Sequence, residues 1–147
     1  MNLPLLIFVA AISLISLGGG IYEMVVIDPV WPSRPEIIQP NNGGISRKVF
    51  WIPMHGLLEI LLLISLFGFW YVTPVKYYLV IAFALQIISR LWSSFDFIPK
   101  ALMFERGEQT EVSVMKSWVL RSRWRILIST VISGCLMQAV ISAITMA

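Results

Sequence analysis

His55 and Glu59 stand four residues apart in an otherwise apolar run, so on a helix both side chains address the same point. Glu23 and Arg90 lie in two other apolar runs. A charge within a membrane span costs about 2.5–3.5 kcal/mol on insertion scales, and those that persist face the bundle interior and find partners. Three chemistries suit this set. A metal would draw on His55, Glu59 and Glu23, with Asp96 as a further ligand, but the chain has a single histidine. Di-iron carboxylate bundles use two Glu-x-x-His motifs, and a haem would have His55 as its sole histidine ligand. Acid–base chemistry would use Glu59 or Glu23 as acid or base, because a carboxyl at membrane depth has its charged form disfavoured. His55 would then be the relay, and Arg90 would bind an oxygen or an anion. The third possibility is structural: Glu59 or Glu23 neutralises Arg90 and fixes helix register without any reaction.

These residues need elements that bring them together. Of 147 residues, 58% are hydrophobic and 13% charged, about half the charge of a soluble domain, which makes lipid the expected solvent and nucleic acid no partner. A spanning helix needs roughly 20 apolar residues, and four stretches satisfy this: about 3–27, 51–72, 75–97 and 124–146. The expected fold is an all-α, antiparallel, integral membrane four-helix bundle forming one domain over 1–147. The first stretch has no basic residue before it and no small-residue cleavage site after it, so it reads as a retained helix. Its loop, 28–50, carries Pro29, Pro32, Pro35 and Pro40, which block regular helix, and Trp31, which suits an interfacial anchor. Thr73 and Pro74 leave room only for a hairpin between the second and third spans. The third loop, 98–123, is long and charged enough for a short amphipathic helix at the membrane surface.

Arg34, Arg47 and Lys48 lie in the first loop, and Lys100, Arg106, Lys116, Arg121, Arg123 and Arg125 in or beside the third; the opposite side has only Lys76. The positive-inside rule then makes both loops cytoplasmic and puts both termini outside a cell membrane. With spans alternating in direction, Glu23, His55, Glu59 and Arg90 fall at similar depth near the cytoplasmic side. On the third span Gln86, Ser89, Arg90, Ser93 and Asp96 form one polar stripe, and Ser16, Gly20 and Glu23 do so on the first. On the fourth, Thr130, Gly134, Gln138 and Ser142 recur every four residues, the small-residue spacing of close helix packing. Trp51 and Trp92 stand near the polar group and can wall an apolar ligand. Cys135 has no second thiol to pair with.

The run Gly18 to Glu23, Gly-Gly-Gly-Ile-Tyr-Glu, followed by Asp28, Pro29, Val30 and Trp31, resembles the first-span ending of the anthrone oxygenase-like family of small four-span membrane proteins. The layout of most of the chain is similar too: a glycine-rich first helix, a Pro-containing loop and three further spans. For a few members that resemblance implies cofactor-free oxygenation of a polycyclic aromatic anthrone. It assigns no role to His55, Glu59 or Arg90. His-x-x-x-Glu at 55–59 also looks like a fragment of the sterol isomerase group, in which such a pair moves protons on a lipid-like substrate.

The expected function is therefore a membrane protein that admits a hydrophobic small molecule into a polar intramembrane cavity and acts on it by proton transfer or oxygenation. Glu59, His55 and Glu23 would be catalytic, and Arg90, Trp92, Trp51, Gln86 and Asp96 would hold the substrate. No motif identifies a cofactor, and none binds a nucleotide. The alternative is a non-enzymatic accessory subunit or scaffold of a larger membrane complex or homo-oligomer, with the polar group as internal glue.

Overall fold

The computed structural model describes residues 3–146. Among these the secondary structure is entirely helical: α1 (Leu3–Tyr22), α2 (Lys48–Gly68), α3 (Thr73–Trp92), α4 (Ile98–Glu105) and α5 (Val112–Thr145). Two widened π-helical turns extend the first and third of these, Glu23–Ile27 after α1 and Ser93–Phe97 between α3 and α4. Counted with these turns, four helices are long and apolar enough to cross a membrane: Leu3–Ile27, Lys48–Gly68, Thr73–Glu105 and Val112–Thr145.

α5 packs along both α1 and α3, and α2 touches α1 and α3 from the other side, so the four make a closed bundle. The inward faces repeat at three and four residues. Leu6, Val9 and Ala10 meet Leu58, Leu62, Leu79, Ala82, Leu136, Ala139 and Ala143 in one apolar core. The alanines of α5 let the backbones approach, as membrane helices need when lipid provides no hydrophobic driving force between them. Ser13 and Ser133 close a 2.7 Å hydrogen bond across the α1–α5 seam. Outward, Phe67, Ile60, Leu127 and Ile88 are exposed, an apolar coat suited to hydrocarbon rather than water.

The third loop is shorter than expected. The fourth helix begins at Val112, not near residue 124, and the third continues helically to Glu105, leaving only Arg106–Glu111 as connection. The expected short helix is present as α4, but it grows directly out of α3. Gly107, at φ +71°, stops it, with Glu108 N–H bonded back to the Met103 carbonyl at 3.0 Å. Thr73–Glu105 has 33 residues against 21 in α2, about 18 Å more rod. A straight rod would carry Glu105 beyond the reach of α2's first residue, yet Lys48 pairs with Glu105 at 2.8 Å. The rod must therefore bend, and the π-turn at Ser93–Phe97 is the interruption that permits it.

Over this end a second core forms from Trp31, Ile38, Phe97, Phe104, Met115 and Trp118. Trp31 is 0% exposed, which corrects its reading as an interfacial anchor. Its ring lies 5.4 Å from Phe104 and 5.9 Å from Trp118, and its indole N–H donates to Asp28 Oδ1 at 3.1 Å. Burial pushes the Asp28 carboxyl above its ordinary value, with the Trp31 hydrogen bond opposing the shift. The prolines of this segment open three short 3₁₀ turns, Trp31–Ser33, Pro35–Ile38 and Pro40–Asn42. Gly44 is required there, since a Cβ would stand 2.2 Å from the Glu36 carbonyl oxygen.

Candidate functional site

Between the two cores lies a cavity of about 540 Å³, lined by residues of α2, α3, α4 and α5 and by Glu23. This is the size range of small-molecule sites. Its lining combines charged side chains with the apolar Ile52 and Gly56 of α2 and Ile98 and Leu102 of α4. Ile52 and Ile98 are also exposed on the outer surface.

Each polar side chain reaches the floor for a local reason. Glu23 opens the π-turn at the end of α1, and π-bulges inside helices recur at functional sites. Trp51 Nε1–H donates to Glu23 Oε1 at 2.8 Å, tying α2 to α1. One turn on, the His55 ring stacks on Trp51 with centroids 5.0 Å apart and planes 17° apart. Both His55 ring nitrogens are buried without a hydrogen-bond partner among the described residues. One further turn brings Glu59, whose Oε1 accepts from Gln86 Nε2 at 3.4 Å and lies 3.5 Å from Arg90 Nε. Both contacts fall on Oε1, and Oε2 has no hydrogen bond or ion pair among the described residues.

Glu23, His55, Glu59, Arg90 and Trp51 thus line one cavity. Gln86 is 4% exposed and reaches it only through Glu59. Trp92 and Asp96 do not join the lining. Trp92 packs against Phe97 at 5.2 Å. Asp96 pairs with Lys100 and, at 2.6 Å, with Arg121. The cause is the π-turn beginning at Ser93: about one extra residue per turn breaks the three-and-four spacing, so the stripe holds through Ser93 and rotates away before Asp96. Among the described residues no three His, Cys, Asp or Glu side chains group as a metal ion requires, so His55, Glu59 and Glu23 are not drawn together as a ligand set.

Arg47, Lys48, Glu105 and Arg125 complete the floor. Arg47 is 9% exposed, its guanidinium 5.7 Å from the centre of the Trp31 ring, 5.5 Å from that of Trp118 and 3.9 Å from Glu105. Sequence reasoning placed Arg47 and Lys48 in a loop and counted them only as topology signals, and no signal in the chain announced their pairing with Glu105. Arg125 lies over the Phe97 ring at 5.0 Å. A second cavity of about 470 Å³ lies behind Trp51 and Glu23, between α1 and the 38–50 segment.

No protein-family model, characterised protein or solved structure matches the chain.

Proposed function

We propose that the protein takes an apolar or amphipathic molecule from the membrane into this cavity and catalyses proton transfer on it. The observation that carries the reading is the presence in one cavity of an imidazole with no hydrogen-bond partner and a carboxylate with one oxygen uncommitted, both among the described residues. Glu59 Oε2 removes a proton from a carbon of the substrate, His55 returns one at another position, and the proton passes from Glu59 to His55 to reset the pair. Isomerisation by this route needs no oxidant. Glu23 and Trp51 fix the His55 ring, and Arg90 keeps the Glu59 carboxylate in place. Oxygenation, which the anthrone oxygenase-like layout of Gly18–Trp31 implies, would use the same cavity with dioxygen as co-reactant. In this reading the four spans alternate in direction, with residues 28–47 and 106–111 cytoplasmic and both termini outside, as the Lys and Arg bias supports.

The test is deuterium uptake. Reconstituted protein is incubated in D₂O with an extract of apolar metabolites, and mass spectrometry follows carbon-bound deuterium. Wild type should label at least one compound, and Glu59→Gln and His55→Ala should lose that labelling while remaining folded. Equal labelling by wild type and both variants would remove these residues from the chemistry.

The accessory-subunit reading keeps one specific support. Thr130, Gly134 and Gln138, expected to face inward, instead lie on the exposed side of α5, whereas Ile132, Ser133, Leu136, Ala139 and Ala143 fill the interior. A small and polar stripe toward lipid suits contact with another helix. A Cβ at Gly134 meets nothing within 4 Å, so Gly134→Leu would leave this chain intact. Release of a co-purifying protein by that variant would favour the subunit reading.

A further inference from the structure

The charges around the cavity do not balance. Four cations line it, Arg47, Lys48, Arg90 and Arg125, against three carboxylates, Glu23, Glu59 and Glu105. Glu105 takes up Arg47 and Lys48, and Glu59 takes up Arg90. Glu23 is bonded to the Trp51 indole. Arg125 has neither an ion pair nor a hydrogen bond among the described residues; the Phe97 ring lies against it, and the carboxylates of Glu23 and Asp28 attract it only from beyond pairing distance. Yet Arg125 is half-buried, feels the field of Arg90, and shares His55 with it as a common neighbour. Of the two guanidiniums at this depth only Arg90 has a carboxylate at pairing distance, so Arg125 keeps its donors free for a bound group, in a lining with one positive charge in excess. Guanidinium donors are planar and suit oxyanions. The apolar lining includes Ile52, Gly56, Ile98 and Leu102, and of these Ile52 and Ile98 are exposed on the outer surface.

We infer that the molecule held here is a monoanionic, single-chain amphiphile whose oxyanion head, a carboxylate or a phosphodiester, sits on Arg125 and Arg90 while its chain leaves between α2 and α4. The inference rests on the cavity-binding reading above and adds the charge and shape of the ligand. The lining's excess of one positive charge matches a single negative charge on the ligand. The portal also has a natural plug, because a side chain at Gly56 would enter open space rather than a neighbour.

The test uses the full chain in neutral detergent, with the fluorescent fatty acid parinarate as probe and oleate, oleoyl-lysophosphatidylglycerol and oleyl alcohol as competitors. Wild type should bind at least one of the two anions about tenfold or more tightly than the alcohol, as expected for a charge-assisted hydrogen bond; which anion wins assigns the head as carboxylate or phosphodiester. Arg125→Gln should collapse that preference while leaving alcohol affinity and unliganded Tm unchanged or Tm raised, since an unpaired charge is removed. Gly56→Trp, with Gly56→Leu as a milder version, should weaken all three competitors. Equal affinity for anions and alcohol in wild type, with Gly56→Trp still blocking both, overturns the anionic head and leaves the cavity reading standing. Binding that neither Gly56 variant alters overturns both.

Discussion

At the end where α2 turns into α3, the bundle is sealed by Leu62, Phe69, Val75, Leu79, Leu136 and Ala143, with Ser65 and the Ser13–Ser133 pair among its few buried polar side chains. At the other end, two tryptophans enclose Arg47, two π-turns interrupt the helices, and a cavity holds three carboxylates, four cations and a histidine. The first end relies on backbone approach and dispersion between small and aliphatic residues. The second tolerates open volume and charge because it has its own aromatic core, built from the 28–47 segment against α4 and α5. A four-helix bundle can therefore keep a charged, open interior at one end when a second core there holds the helix ends apart.

That division of labour can be broken from either side. The largest effect should come from Trp31→Ala, which empties the centre of the aromatic core and should cost about 3–5 kcal/mol. Denaturant unfolding should show this loss, and limited proteolysis should now cut within residues 28–47, while helical circular dichroism from the spans persists. Ala139→Leu attacks the opposite end, where Ala139 is 0% exposed. Overpacking there should cost about 1–3 kcal/mol, read as a lower Tm, without changing ligand affinity at the cavity. Ser13→Ala removes one member of the seam hydrogen bond and should cost only about 0.6 kcal/mol, the mean for interhelical bonds measured within membranes.

The smallest effect should be at Asp28, and its sign distinguishes burial from pairing. Because burial raises the carboxyl's folded pKa above 3.8, the folded state holds the proton more tightly than the unfolded one. The Asp28 contribution to stability is then full below 3.8 and falls as pH rises through the folded pKa. Asp28→Asn keeps an oxygen for the Trp31 indole but abolishes the titration. Its Tm should therefore vary less with pH than that of wild type over this window, and should equal or exceed it near neutrality. A wild-type Tm that rises through the same window would show that Asp28 is held by a cation instead.

The four spans could be read from hydropathy because length and apolar content alone specify them. Likewise Glu23, His55, Glu59 and Arg90 could be placed at one level because helix rise is regular. What hydropathy could not show was where helices continue beyond their most apolar stretch: α4 and the first turns of α5 mix charge with Trp118 and Phe104, and look like loop to a window tuned for hydrocarbon. The position of Asp96 failed for a different reason, since a single π-turn shifts every later face and leaves no mark in composition. The α5 stripe failed because lipid and bundle interior are both apolar, so spacing does not say which small face points inward. Trp31 was misread because an amphipathic ring beside a membrane suits an interface or a core equally well, and only the partners Phe104 and Trp118 decide.

The most direct test of the central claim is native mass spectrometry of the gently extracted protein beside its Gly56→Trp variant. An apolar or amphipathic molecule should be bound to wild type in stoichiometric amount and lost from the variant, with both chains folded. Wild type that carries no such molecule, or a bound molecule that survives plugging of the portal, would contradict it.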